Sequence, residues 1–209
     1  MSEPPSTRRS RRPSKHRSSS EASGSRAGAG SGAVPASARD PETRDPLELG
    51  REIALRQLSM GPRTRAQLAT SLRRKGIPEP AVEAVLDRFE EVQLVDDGEF
   101  ARQWVESRHH GRGLARRALA HELRQRGVEG ELVKQAVAQV APEDELAAAR
   151  ELVRRRAPGM ARDDPQRRVR RLAGMLARKG YGPGVAMQAI REQLAADDEA
   201  AAALEAEFD

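Results

Sequence analysis

The side chains best suited to chemistry in this sequence are arginines. One cluster comprises Arg108, Arg112, Arg116, Arg117, Arg124 and Arg126. A second comprises Arg154, Arg155, Arg156, Arg162, Arg167, Arg168, Arg170, Arg171, Arg178 and Lys179. Residues 150 to 180 hold eleven bases against three acids, an imbalance stronger than the chain average. A guanidinium offers a planar fork of donors that matches carboxylates and phosphates, so these clusters suit contact with an acidic protein surface or nucleic acid. A solvated helix face would carry the same charges, but so local an excess on helical segments favours a contact surface.

Groups that would make or break bonds are missing or have simpler explanations. No GxxxxGK[ST], HExxH or GxSxG pattern occurs, and Gly28, Gly30 and Gly32 have neither a strand before them nor a helix after them. The histidines, His16, His109, His110 and His121, lack ligand spacing, and there are no cysteines to form a thiolate metal site or a disulfide. The pairs Asp96-Asp97 and Asp163-Asp164 each precede a helical pattern and read as caps rather than catalytic carboxylates. Phe100 and Trp104, four apart on one helix face, read as core, and three Phe, one Trp and one Tyr are too few for stacking readout of single strands. No catalytic residue, no metal and no cofactor is expected.

The arginines must be positioned by helices. Ala, Leu, Arg and Glu dominate and strand formers are scarce, which predicts an all-α fold. Three segments repeat: LATSLRRKGI (68 to 77), LAHELRQRGV (119 to 128) and LAGMLARKGY (172 to 181), 51 and 53 residues apart. The pairs Leu68/Leu72, Leu119/Leu123 and Leu172/Leu176 stand at i and i+4 and line one helix face, which must be core. Gly76, Gly127 and Gly180 end those helices in the left-handed conformation, and Ile77, Val128 and Tyr181 fold back on the second Leu as a Schellman cap requires. Lys75, Arg126 and Lys179 in the last turn complement the helix dipole.

Each repeated helix is followed by another, carrying Val82, Val85 and Leu86, then Leu132, Val133 and Val137, then Val185, Ala189 and Ile190. Each is also preceded by one, over roughly 46 to 59, 97 to 109 and 142 to 156. Start signals are Asp45-Pro46 with Glu48, Thr64 with Gln67, Asp96 with Glu99, Pro142 and Asp164-Pro165, and Pro158-Gly159 is a stop. The unit is three helices, and so small a unit is expected to bury surface against its neighbours in an elongated array.

These limits divide the chain into a disordered basic tail over 1–45, helical repeats over 46–95, 96–140 and 141–196, and an acidic helix extension or tail over 197–209. The overall charge of +5 splits into +4 for residues 1–45, +7 for 46–196 and −6 for 197–209. No apolar run approaches 18 residues, and the basic start, MSEPPSTRRSRRPSKHRSSS, lacks the apolar stretch of an export signal. A soluble chain in a reducing cytoplasm, without membrane contact, is expected.

The repeats, together with LVDDGEFARQWVESR (94 to 108) and GRGLARRALAHELRQRGV (111 to 128), resemble the RecX family of bacterial recombination regulators over residues 50 to 195. The resemblance implies a curved array of three tandem three-helix repeats. It also implies a regulator, rather than an enzyme, that lodges in the groove of RecA filaments and restrains recombinase and ATPase activity in DNA repair, recombination and the SOS response. The implied partners are the RecA filament and, secondarily and without sequence preference, DNA, met by a monomer. Contact residues are then expected among Arg112, Arg116, Arg117, Arg124, Arg126, Arg167, Arg168, Arg170, Arg171, Arg178 and Lys179, with Gly76, Gly127, Gly180, Phe100 and Trp104 structural. Two helices joined by a Gly turn also suit an autonomous helix-turn-helix DNA-binding protein, which would prefer a particular duplex.

Overall fold

The structure, a computed structural model, describes residues 45–208, with 199–208 as backbone only. Apart from Asp45, the basic tail expected over 1–45 lies outside the described residues. Nine α-helices and no strand occur among them. The first domain holds α1 (Pro46–Leu58), α2 (Arg65–Arg74) and α3 (Glu79–Glu91); the second α4 (Asp97–Arg112), α5 (Arg116–Gln125) and α6 (Gly130–Ala138). The third holds α7 (Pro142–Arg156), α8 (Pro165–Arg178) and α9 (Pro183–Phe208), with a 3₁₀ turn over Ala157–Met160 after α7. No described helix is long and apolar enough to cross a membrane.

Most start signals act as read. Asp45 accepts the Leu47 amide at 3.0 Å, Asp164 accepts the Arg167 amide at 3.1 Å, and Thr64 and Gln67 form the reciprocal box that opens α2. Asp96 makes only half of one: it accepts the Glu99 amide at 2.8 Å, while the Glu99 carboxylate turns outward to Arg102 and Gln103. Asp163 caps nothing and instead holds Arg171. Helix α4 runs past its expected end at 109 to Arg112, because the left-handed residue that closes it is Gly113, at φ 59°.

The three repeated corners are built alike. Gly76, Gly127 and Gly180 have φ of 79°, 81° and 87°. The amides of Ile77, Val128 and Tyr181 donate to the carbonyls of Leu72, Leu123 and Leu176 at 3.2, 3.2 and 3.1 Å. That is the long bond of a Schellman motif, and it turns each chain so that the residue after the glycine is buried.

Within each domain the first and third helices pack together and the second packs against both. Leu68, Leu72, Leu119, Leu123, Leu172 and Leu176 are fully buried, each pair at the centre of its own core. Neighbouring units bury surface against each other, as the sequence predicts, but each keeps its own apolar core, with Ala115 of the second domain's chain entering the third. Three helices with a Leu pair and a third-helix Val/Ile/Phe set already enclose a buried apolar centre, so the domains join through end-to-end backbone and side-chain contacts of their second helices.

Candidate cationic interface

Two joints set the geometry of the arginines, and they follow one plan. At the first, Thr64 Oγ1 donates to the Arg126 carbonyl at 2.7 Å; at the second, the Ala115 amide donates to the Lys179 carbonyl at 2.9 Å. In each, the last turn of one domain's second helix meets the N-terminus of the preceding domain's second helix. Helices α8, α5 and α2 therefore run head to tail with their dipoles aligned, satisfying carbonyls and amides that a free helix end would leave to water. The approach is close: a Cβ on Gly127 would stand 2.3 Å from the Ala66 Cβ, and one on Gly180 2.5 Å from the Ala118 amide nitrogen. Gly76, at the open end of the row, has nothing within 4 Å.

A carboxylate from the following domain completes each joint. Asp97 accepts the Arg65 amide at 2.8 Å, and Glu145 accepts the Arg116 amide at 3.0 Å and its Nε at 3.1 Å. Both acids thus cap a helix in the neighbouring domain. Burial pushes the Asp97 carboxyl up, and the Arg65 amide and charge pull against that. Glu145 is 8% exposed, whereas the Arg116 side chain is 37% exposed. Glu145→Ala should therefore lower the urea midpoint by an amount equivalent to about 2 kcal/mol, because it strands a buried amide beside a half-screened guanidinium. Glu145→Gln, which keeps an acceptor oxygen, should lose less; equal losses would mean the acceptor is unimportant.

Around Trp104 the joint is cationic. The guanidiniums of Arg126 and Arg108 lie over its ring at 3.6 and 4.1 Å, and its Nε1 donates to Glu122 at 2.8 Å. Burial, then repulsion from Arg108 and Arg63, lowers the Arg126 pKa against the pull of Glu122. Phe100 is buried and stacks on Trp104 with centroids 5.8 Å apart.

Along the row of second helices the arginines bound three linked grooves. Arg63, Arg74, Arg124 and Arg126 border one of about 510 Å³ at the first joint. Arg117, Arg124 and Arg178 border one of about 700 Å³ at the second, and Arg156, Arg170, Arg171 and Arg178 one of about 380 Å³ beside α8. Arg124 and Arg178 are each shared by two grooves, and among the described residues no acidic one lines any of the three. Concavities elsewhere differ: those near Leu94 and Leu152 include Asp96 and Glu99, or Asp144 and Glu151. Apart from Arg171, which holds Asp163, the cations of the three grooves make no ion pair among the described residues and keep a positive potential that a salt-bridged face would cancel.

Six of the eleven expected contact residues thus come together: Arg117, Arg124, Arg126, Arg170, Arg171 and Arg178. The others stand apart. Arg116 is held by Glu145, Arg168 by Asp197, and Lys179 by the Arg112 carbonyl. Arg112 is exposed beside Asp144 and Glu151, and Arg167 is exposed off the grooves. The expected set lacked Arg63, Arg74 and Arg156, the last of which stood in the second arginine cluster of the sequence. Arg74 stands two residues after Leu72 as Arg178 stands two after Leu176, so the repeat register carried that signal; nothing marked Arg63.

Family models described as the first, second and third three-helix domains of RecX match residues 51–89, 96–137 and 143–190. The chain is 56% identical over 156 residues to a regulatory protein RecX of Streptomyces coelicolor, covering 75% of this chain and 83% of that one. It belongs to the RecX family. The regulatory protein RecX of Thermobifida fusca is 53% identical over 172 residues, covering 82% of this chain and 92% of the relative. A crystal structure of RecX from Lactobacillus salivarius superposes with a TM-score of 0.66 at 18% identity, covering 70% and 96% of the two chains; that likeness speaks for the fold alone. In this RecX chain the grooves draw on the second helix of all three family domains.

Proposed function

We propose that the chain is a non-enzymatic regulator that binds RecA filaments through the cationic row along α2, α5 and α8 and lowers recombinase and ATPase activity, with DNA phosphates as secondary contacts. The observation that carries this reading is the run of three linked, acid-free grooves spanning three domains whose spacing two built joints fix. A filament is a repeating surface, and a row of fixed pitch can meet more than one subunit of it. Exposed guanidiniums can there pair with carboxylates or with the phosphates the filament encloses. The reading places the protein in the cytoplasm, acting as a monomer, with no catalytic step of its own.

The test mixes the purified full-length chain with RecA filaments on single-stranded DNA and follows ATP turnover and filament length together. Turnover should fall and filaments shorten as the chain is added. Unchanged turnover and length at saturating protein would overturn the proposal.

A further inference from the structure

The groove at the second joint differs from its counterpart at the first, although the repeat should make them alike. At the first joint Gln57, Gln67, Thr70 and Ser71 line the space between the arginines. At the second the lining is Ala118, Ala173, Ala177 and Met187. Two register positions carry much of the difference. Three before and seven after the repeat glycine, the second domain, whose corner faces the first joint, has Arg124 and Lys134; the third domain, whose corner faces the second joint, has Ala177 and Met187. Two cationic positions are taken by exposed apolar side chains, in a chain of which 33% of residues are charged, and Met187 is left 36% exposed.

We propose that this groove is a peptide-binding site that takes an apolar side chain flanked by carboxylates, a deepening that relies on the regulator reading only for who supplies the peptide. The floor of Ala173, Ala177 and Met187 removes an apolar side chain from water, and a concavity of about 700 Å³ is of the size that holds such an anchor. On its rim Arg117, Arg124 and Arg178 make no carboxylate contact among the described residues, so their forks remain available to acidic groups beside the anchor. Single-stranded nucleic acid fits less well. Its bases need a broad aromatic platform, and of the two rings lining the groove Tyr181 is 3% exposed with its hydroxyl donating to the Gly113 carbonyl at 3.1 Å, while His121 is a single small ring engaged with Gln125 at 3.0 Å.

The test uses the full chain and fluorescence anisotropy with three labelled probes: a ten-residue peptide of Asp and Glu with one central Phe, the same peptide with Ser for Phe, and an oligothymidylate of equal charge. The Phe peptide should bind about tenfold more tightly than the Ser peptide. Met187→Ser should remove most of that preference. So should the double exchange Ala177→Arg, Met187→Glu, which installs the pair that Arg73 and Glu83 make at the same repeat positions of the first domain and leaves the net charge unchanged. Oligothymidylate affinity should move less than twofold in both variants. Equal binding of the two peptides, or a preference that survives the double exchange, would overturn the proposal. So would oligothymidylate binding that falls with the peptide's, which would make the groove a nucleic-acid site. A Phe preference in a chain that leaves RecA turnover untouched would retain the groove and refute the regulator reading; inhibition of RecA without the preference would do the reverse.

Discussion

Replacing Gly180 by alanine should destabilise the protein by about 3 kcal/mol, whereas the same exchange at Gly76 should cost about 1 kcal/mol. Both glycines end a repeated helix at positive φ, 87° and 79°, so both variants carry the strain of a Cβ in the left-handed region. Only at Gly180 would the new methyl also meet backbone, 2.5 Å from the Ala118 amide nitrogen, which α5 cannot withdraw without opening the joint. Gly127→Ala should fall near Gly180→Ala, since its Cβ would lie 2.3 Å from the Ala66 Cβ. Urea unfolding followed by helical circular dichroism measures all three. Equal losses at 76 and 180 would mean that the joints are looser than the geometry requires, and that the three domains do not hold the arginines at fixed spacing.

The contrast between corner and joint also marks what the sequence could convey. A glycine followed by an apolar residue, four after the second Leu of a pair, encodes a local bond between neighbouring turns, and local rules suffice to read it. Leu68 through Leu176 were legible as core for the same reason. The joints were not, because their partners lie in other domains. Asp97 has the sequence signature of a cap on its own helix, yet it accepts an amide of α2, and nothing in the residues around Glu145 distinguishes it from the acids of an ordinary first turn. The arginines show the same divide. Their number and sign were plain, but whether each is free depends on tertiary neighbours: Arg116, Arg168 and Arg171 hold acids, while Arg117, Arg124 and Arg178 do not. Arg74 could have been found by carrying the repeat register across all three copies; Arg63, outside the repeated segment, could not.

Charge reversal at Arg117 and Arg124 should weaken filament binding at least tenfold while leaving helicity unchanged. Both side chains are exposed, neither has a carboxylate partner among the described residues, and Arg124 borders two of the three grooves. The exchange therefore removes two charge-assisted contacts and adds two repulsive groups without stranding an acid; each lost contact is worth roughly 1–3 kcal/mol. Arg116 is the wrong neighbour for this purpose, since a Glu there would face Glu145 and open the joint. A matched control reverses Arg88 and Lys134, which lie on α3 and α6, away from the grooves, and pair only with Glu91 and Glu131. Its change in net charge is the same, so it separates position from global electrostatics.

The most direct measurement is a titration of RecA ATP turnover on single-stranded DNA with the wild type, the Arg117→Glu, Arg124→Glu variant and the Arg88→Glu, Lys134→Glu variant. Wild type and control should inhibit at the same protein concentration, and the groove variant should need at least tenfold more. Coincident curves for all three proteins would contradict the assignment of the α2–α5–α8 row as the contact face.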